Sequence, residues 1–106
     1  MAQTNHAIIT QITSRIRKAL PVEKVFLFGS HAWGIPDESS DFDIFIITPS
    51  SEQPPHRRAT QIYRHLRGLG VPIDLIVMTH NEVEQARQVA TSLTSKVLAE
   101  GKVLYE

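Results

Sequence analysis

The sequence predicts a small α/β (α+β) domain, a mixed β-sheet of three or four strands packed by helices. Three observations lead there. Val25–Phe28 and Phe42–Thr48 are short runs dominated by apolar residues, the mark of strands covered on both faces. Ile73–Thr79 is a third such run, and segments of 3.6-residue periodicity stand before, between and after the three. A chain of 106 residues is then expected to form one domain over 1–106, with a real but small core.

The first helix is expected from about Asn5 to Leu20, with Ile8, Ile9, Ile12, Ile16, Ala19 and Leu20 on one face. Thr4 or Asn5 would cap it, and Pro21 closes it. Gly29 ends the first strand. Ser30–Trp33 then has room for a turn or two of helix before Gly34 and Pro36, and Ile35–Ser40 reads as loop. In the second strand Phe45 and Ile47 share one face, and Phe42, Ile44 and Ile46 the other. Thr48–His56 (TPSSEQPPH) is too short to separate domains.

Pro54–Leu69 reads as a helix with prolines in its first turn and Ala59, Ile62, Tyr63, Leu66 and Leu69 along one side. Gly68 and Gly70 suit its end. After the third strand, Thr79-x-x-Glu82 is a capping box for a final helical region that Thr91-Ser92 divides. Gly101 ends that region, and Val103–Tyr105 is a short extended tail. The helix between the second and third strands is long enough for a right-handed parallel crossover. The first two strands, joined by about thirteen residues, are expected to be antiparallel neighbours.

Composition removes several function classes. Eleven basic residues balance eleven acidic ones, so no global field draws nucleic acid or a membrane, and nucleic acid is not expected as a direct ligand. There is no cysteine, hence no disulfide framework or thiolate chemistry. The first twenty residues lack a signal-peptide apolar stretch, and no run reaches the length of a membrane span. A cytoplasmic location is the expectation.

Chemistry concentrates in LFGSHAWGIPDESSDFDIFIIT. Gly29-Ser30 is followed by ten residues and then Asp41-Phe42-Asp43. Four fixed letters at this spacing arise in roughly one chain in a thousand of this length. Chance is therefore a poor account of them. Asp41 and Asp43, two apart at the head of a strand, point to one face with Cα atoms about 6.6 Å apart. Two such carboxylates can converge on hard cations bound at roughly 2.0–2.1 Å. Without a cation each would disfavour the other's ionisation. Asp74 has the parity to join them if the third strand lies parallel beside the second. Two magnesium ions about 3.5–4 Å apart could then clamp an in-line displacement.

Gly29 lets a phosphate approach the main chain, and Ser30 opens a short helix with free amides and a hydroxyl donor. His31 is the one histidine placed to touch phosphate. No Gly-Lys-Ser/Thr follows, so this is not a Walker A loop. Taken singly, Gly29-Ser30 is a strand-ending turn, Asp41 and Asp43 are loop-exit residues, and Asp74 is a solvated strand end. Only the constellation carries the metal–nucleotide reading.

These residues resemble the minimal nucleotidyltransferases of the DNA polymerase beta superfamily, whose signature is Gly-Ser, about ten residues, Asp-x-Asp and a later strand-borne Asp. Gly29, Ser30, Asp41, Asp43 and Asp74 match it, the closing LAEGKVLYE looks typical of such short proteins, and the likeness runs from the first helix to the tail. The resemblance implies a polymerase beta-type fold in which Asp41 and Asp43 hold two Mg2+ ions, and Ser30 with Gly29 binds the triphosphate of ATP or another NTP. It implies that Asp74 completes the metal site and helps deprotonate the acceptor hydroxyl. It also implies pairing with a separately encoded, helical HEPN-type protein, in some pairs a toxic ribonuclease that the transferase neutralises by adding AMP to a tyrosine. The alternative is a non-catalytic nucleotide- or metal-binding subunit that neutralises its partner by complex formation.

The remaining features have plainer readings. Arg57, Arg58, Arg64 and Arg67 read as a solvated basic helix face. The histidines are scattered, without a zinc spacing. Trp33 is expected to pack under its loop, and Ser40 to turn the chain or orient the Asp41 carboxylate.

Overall fold

The computed structural model describes residues 2–37 and 40–106, and the side chains of residues 2–5 lie outside the description. The order is α1 (Ala2–Ala19), β1 (Lys24–Phe28), α2 (Ser30–Trp33), β2 (Phe42–Thr48), α3 (Pro55–His65), β3 (Ile73–Thr79), α4 (His80–Ala86), α5 (Leu93–Glu100) and β4 (Lys102–Tyr105). Among the described residues these form one sheet ordered β3-β2-β1-β4. The hairpin-like pair β1 and β2 is antiparallel, and β3 returns through α3 to lie parallel to β2.

Period-two alternation decides which helices cover which face. Val25, Leu27, Phe42, Ile44, Ile46 and Val77 point toward α1 and α3, where Ile12, Ile16, Ala19, Ile62 and Leu66 complete a buried cluster. Phe26, Phe28, Phe45 and Ile47 point the other way, against Val83 of α4 and Val97 of α5, with Trp33 of α2 packed at the margin. Phe45 meets Phe26 and Phe28 edge-on at centroid distances of 6.5 and 6.4 Å. Both central strands are thus covered on both faces, as their apolar runs require.

Boundaries differ from expectation where local signals compete. α1 starts three residues before Asn5; the cap expected at Thr4 or Asn5 concerns side chains outside the description. α3 stops at His65, short of Leu69, and the chain unwinds through Gly68 and Gly70, both at positive φ. The expected capping box is present at α4: the Thr79 hydroxyl accepts from the Glu82 amide and the Glu82 carboxylate from the Thr79 amide. Ser92 caps α5 more simply, its hydroxyl accepting from the Ser95 amide, and the last helical region is two helices. The tail pairs antiparallel with β1 as a fourth strand, and Arg17 of α1 lies 4.1 Å from the Tyr105 ring centroid.

Arg58 corrects the reading of a solvated basic face. It is 6% exposed and donates to the carbonyls of Gln53 and Val77 and to both Glu82 oxygens, the closest at 2.7 Å. The Tyr63 hydroxyl accepts from the Leu75 amide. Together they occupy outward backbone groups of edge strand β3, which would otherwise offer a template for another strand.

Candidate active site

The site forms where β1 ends and β2 and β3 begin. In the antiparallel register Phe28 lies opposite Asp43, and in the parallel register Asp43 lies beside Asp74. Strand neighbours are about 4.8 Å apart. Two carboxylates therefore leave the same face from adjacent strands. Every other residue of β2 is buried; Asp43 alone is half-buried. Its carboxyl is held above the ordinary 3.8, first by partial burial, then by the charges of Asp74 and Asp41, with His31 opposing. The four side chains thus share one electrostatic neighbourhood.

Gly29 closes the site from β1. Its φ of 73° lies in the region that favours glycine, and a Cβ there would overlap Asp43 Oδ2. The Ala32 and Trp33 amides both return to the Gly29 carbonyl at 2.9 Å, which starts α2. As its first residues, Ser30 and His31 have amides with no intrahelical acceptor. Gly34 packs against the Ser30 backbone, where a Cβ would sit 2.9 Å from Ser30 Cα. That requirement was not legible from the turn chemistry alone.

Asp41 sits one residue before the β2 ladder and is exposed, as is Asp74. The loop leading to it is closed on itself: the Ser40 hydroxyl accepts from the Asp37 amide at 3.0 Å and donates to Asp37 Oδ1 at 3.2 Å. Ser40 thus turns the chain, the first of its two expected roles, and its hydroxyl serves Asp37 and not the Asp41 carboxylate. Ser39 lies outside the described residues. His31 Nε2–H donates to the Ser40 carbonyl at 3.3 Å, and its ring stacks on Phe42 at 4.0 Å and 13°. Trp33 packs on Phe28 at 6.1 Å, beneath the turn, with Lys96 Nζ 4.5 Å from its ring centroid.

Three carboxylates with oxygen donors only suit a hard divalent cation. Among the described residues, however, no group of three or more His, Cys, Asp or Glu side chains is gathered into a metal cage. Asp41, Asp43 and Asp74 share a field rather than a ready-made set of bonds. Asp43 carries the clearest sign of fit: a carboxylate pressed over a glycine and disfavoured as an anion first by burial and then by two like charges, which a cation would relieve.

A family model described as a nucleotidyltransferase domain matches residues 9–103, nearly the whole chain. The chain belongs to the nucleotidyltransferase domain family. The match spans every residue of the Gly-Ser, Asp-x-Asp and Asp74 constellation. A crystal structure of a Sulfolobus solfataricus protein assigned as a nucleotidyltransferase is similar over 74% of this chain and 70% of that one, at 26% identity and a TM-score of 0.60. A toxin–antitoxin structure with AMP-PNP is similar in fold over 92% of this chain and 72% of that one, at 23% identity and a TM-score of 0.64. No curated protein matches. Among the described residues no helix of this nucleotidyltransferase domain is long and apolar enough to cross a membrane.

Proposed function

We propose that this nucleotidyltransferase domain is a magnesium-dependent enzyme that moves AMP from ATP to a hydroxyl of a partner protein, a tyrosine of a HEPN-type toxin, and so acts as an antitoxin. The observation that carries the reading is the placement of Asp43 beside Asp74 and over Gly29. The likeness to a toxin–antitoxin structure with AMP-PNP supports the partner and the nucleotide.

In this reading Asp41, Asp43 and Asp74 hold magnesium. Bound there, the metal supplies charge neutralisation at the phosphate oxygens and orientation of the displacement. The Ser30 and His31 amides and the Ser30 hydroxyl seat the triphosphate, and Gly29 lets it come close to the main chain. The acceptor oxygen attacks the α-phosphorus, the bond to the bridging oxygen breaks, and pyrophosphate leaves. Asp74, on edge strand β3, helps take the acceptor's proton.

The test is intact-mass analysis of the protein encoded by the adjacent gene after incubation with ATP, Mg2+ and this protein. The expected result is the mass of one AMP moiety on a tyrosine, abolished in Asp41→Ala/Asp43→Ala. An unmodified partner, still neutralised by that double variant, would instead establish occlusion without catalysis.

A further inference from the structure

His31 follows Ser30 in the chain, and its side chain is engaged with the run that carries Asp41. One imidazole holds both chain neighbours of that aspartate: it stacks on the buried ring of Phe42 and donates to the carbonyl of Ser40. Phe42 is otherwise fixed, 5% exposed and with its amide donating to the Pro72 carbonyl at 2.9 Å. Ser40 is tied to Asp37 through both its amide and its hydroxyl. Between these two anchored residues Asp41 lies outside the strand ladder, so no sheet pairing sets its direction.

We infer that His31 is a positioning residue whose imidazole aims Asp41 at the divalent cation and so sets the site's metal affinity. The inference rests on the reading of Asp41 as a metal ligand. It assigns the imidazole a task different from the phosphate contact expected of a histidine beside Ser30. Because His31 stands in the first turn after Gly29, the brace also links the phosphate side of the site mechanically to the carboxylate side.

The stack and the hydrogen bond separate by substitution. His31→Phe keeps a flat ring over Phe42 and loses the donor, His31→Asn keeps a donor and loses the ring, and His31→Ala loses both. Calorimetric titration with Mn2+ alone reads the metal site without any turnover, and Asp41→Asn defines the loss of the ligand itself. Outer-shell partners of metal ligands typically alter affinity 10–100-fold. The expected result is about tenfold weaker Mn2+ binding in His31→Ala and a smaller loss in His31→Phe and His31→Asn.

Thermal unfolding of each variant checks that the fold persists; the two milder substitutions decide the matter should His31→Ala unfold. Unchanged Mn2+ affinity in the folded variants would overturn the brace. Wild-type protein that binds no Mn2+ would instead overturn the metal reading and the brace with it, whereas weakened binding in Asp41→Asn alone would remove only the brace.

Discussion

Asp43 is the residue at which the fold and the proposed function pull apart. It stands in a strand otherwise made of buried side chains, opposite Phe28 and beside a second carboxylate. Its native carboxyl is held above 3.8 by burial and then by Asp74 and Asp41, so the fold disfavours its charged form relative to the unfolded chain. The sign follows from linkage: Asp43 favours the native state fully below its unfolded value, and that contribution is lost as pH rises through the raised native value. At neutral pH the charged group therefore works against folding. Asp43→Asn is expected to raise stability at pH 7 by a few tenths to about 1 kcal/mol in a chelator, the trade seen where a site is kept strained for function. Added Mg2+ should stabilise the wild type and leave the variant unmoved. Urea unfolding in EDTA and in Mg2+ measures both effects. A variant less stable than wild type in EDTA would show that Asp43 is a structural anchor instead.

The strands carry the site, and the elements around them explain why it forms where it does. β2 and β3 run parallel because α3 spans the crossover, and that register alone brings residues thirty-one apart in sequence side by side. Arg58 secures the arrangement by joining α3 to the β3 edge and to the first turn of α4. Its hydrogen bonds hold the Glu82 carboxyl below its ordinary 4.5. Glu82 therefore contributes stability above that value, which is lost as pH falls through the depressed native value. The Glu82 side chain is 40% exposed, so solvent screening reduces that contribution. Arg58→Ala leaves a buried carbonyl unpaired as well and is expected to cost roughly 2–4 kcal/mol. Chemical denaturation at pH 7 checks it; a loss below about 0.5 kcal/mol, the range of an ordinary surface substitution, would contradict the role. Strand existence, the parallel crossover and the division of the last helix at Ser92 were legible because apolar runs and caps are local signals. The burial of Arg58 was not, since its acceptors come from Val77 and Glu82, which only the fold assembles. Nor was the pairing of β4, a short tail whose partner lies far back in the chain. At the site, the parity of Asp43 and Asp74 was readable from a period of two, whereas the ties of His31 and Ser40 depend on how one loop returns.

On the scale of the whole molecule, two layers of helices clamp a sheet whose open end presents three carboxylates opposite a glycine-serine bend. The matched family covers this assembly from α1 into β4, and the similar crystal structures share its fold. Everything proposed for the chemistry requires metal and polyphosphate to meet at that end of the sheet and nowhere else. The most direct test is a crystal structure of the protein with Mn2+ and an ATP analogue that cannot be cleaved between the α- and β-phosphorus atoms, collected for the manganese anomalous signal. The account predicts anomalous peaks bounded by Asp41, Asp43 and Asp74, with the triphosphate lying across Gly29 and Ser30. Manganese peaks remote from these carboxylates, or a nucleotide bound away from that bend, would contradict it.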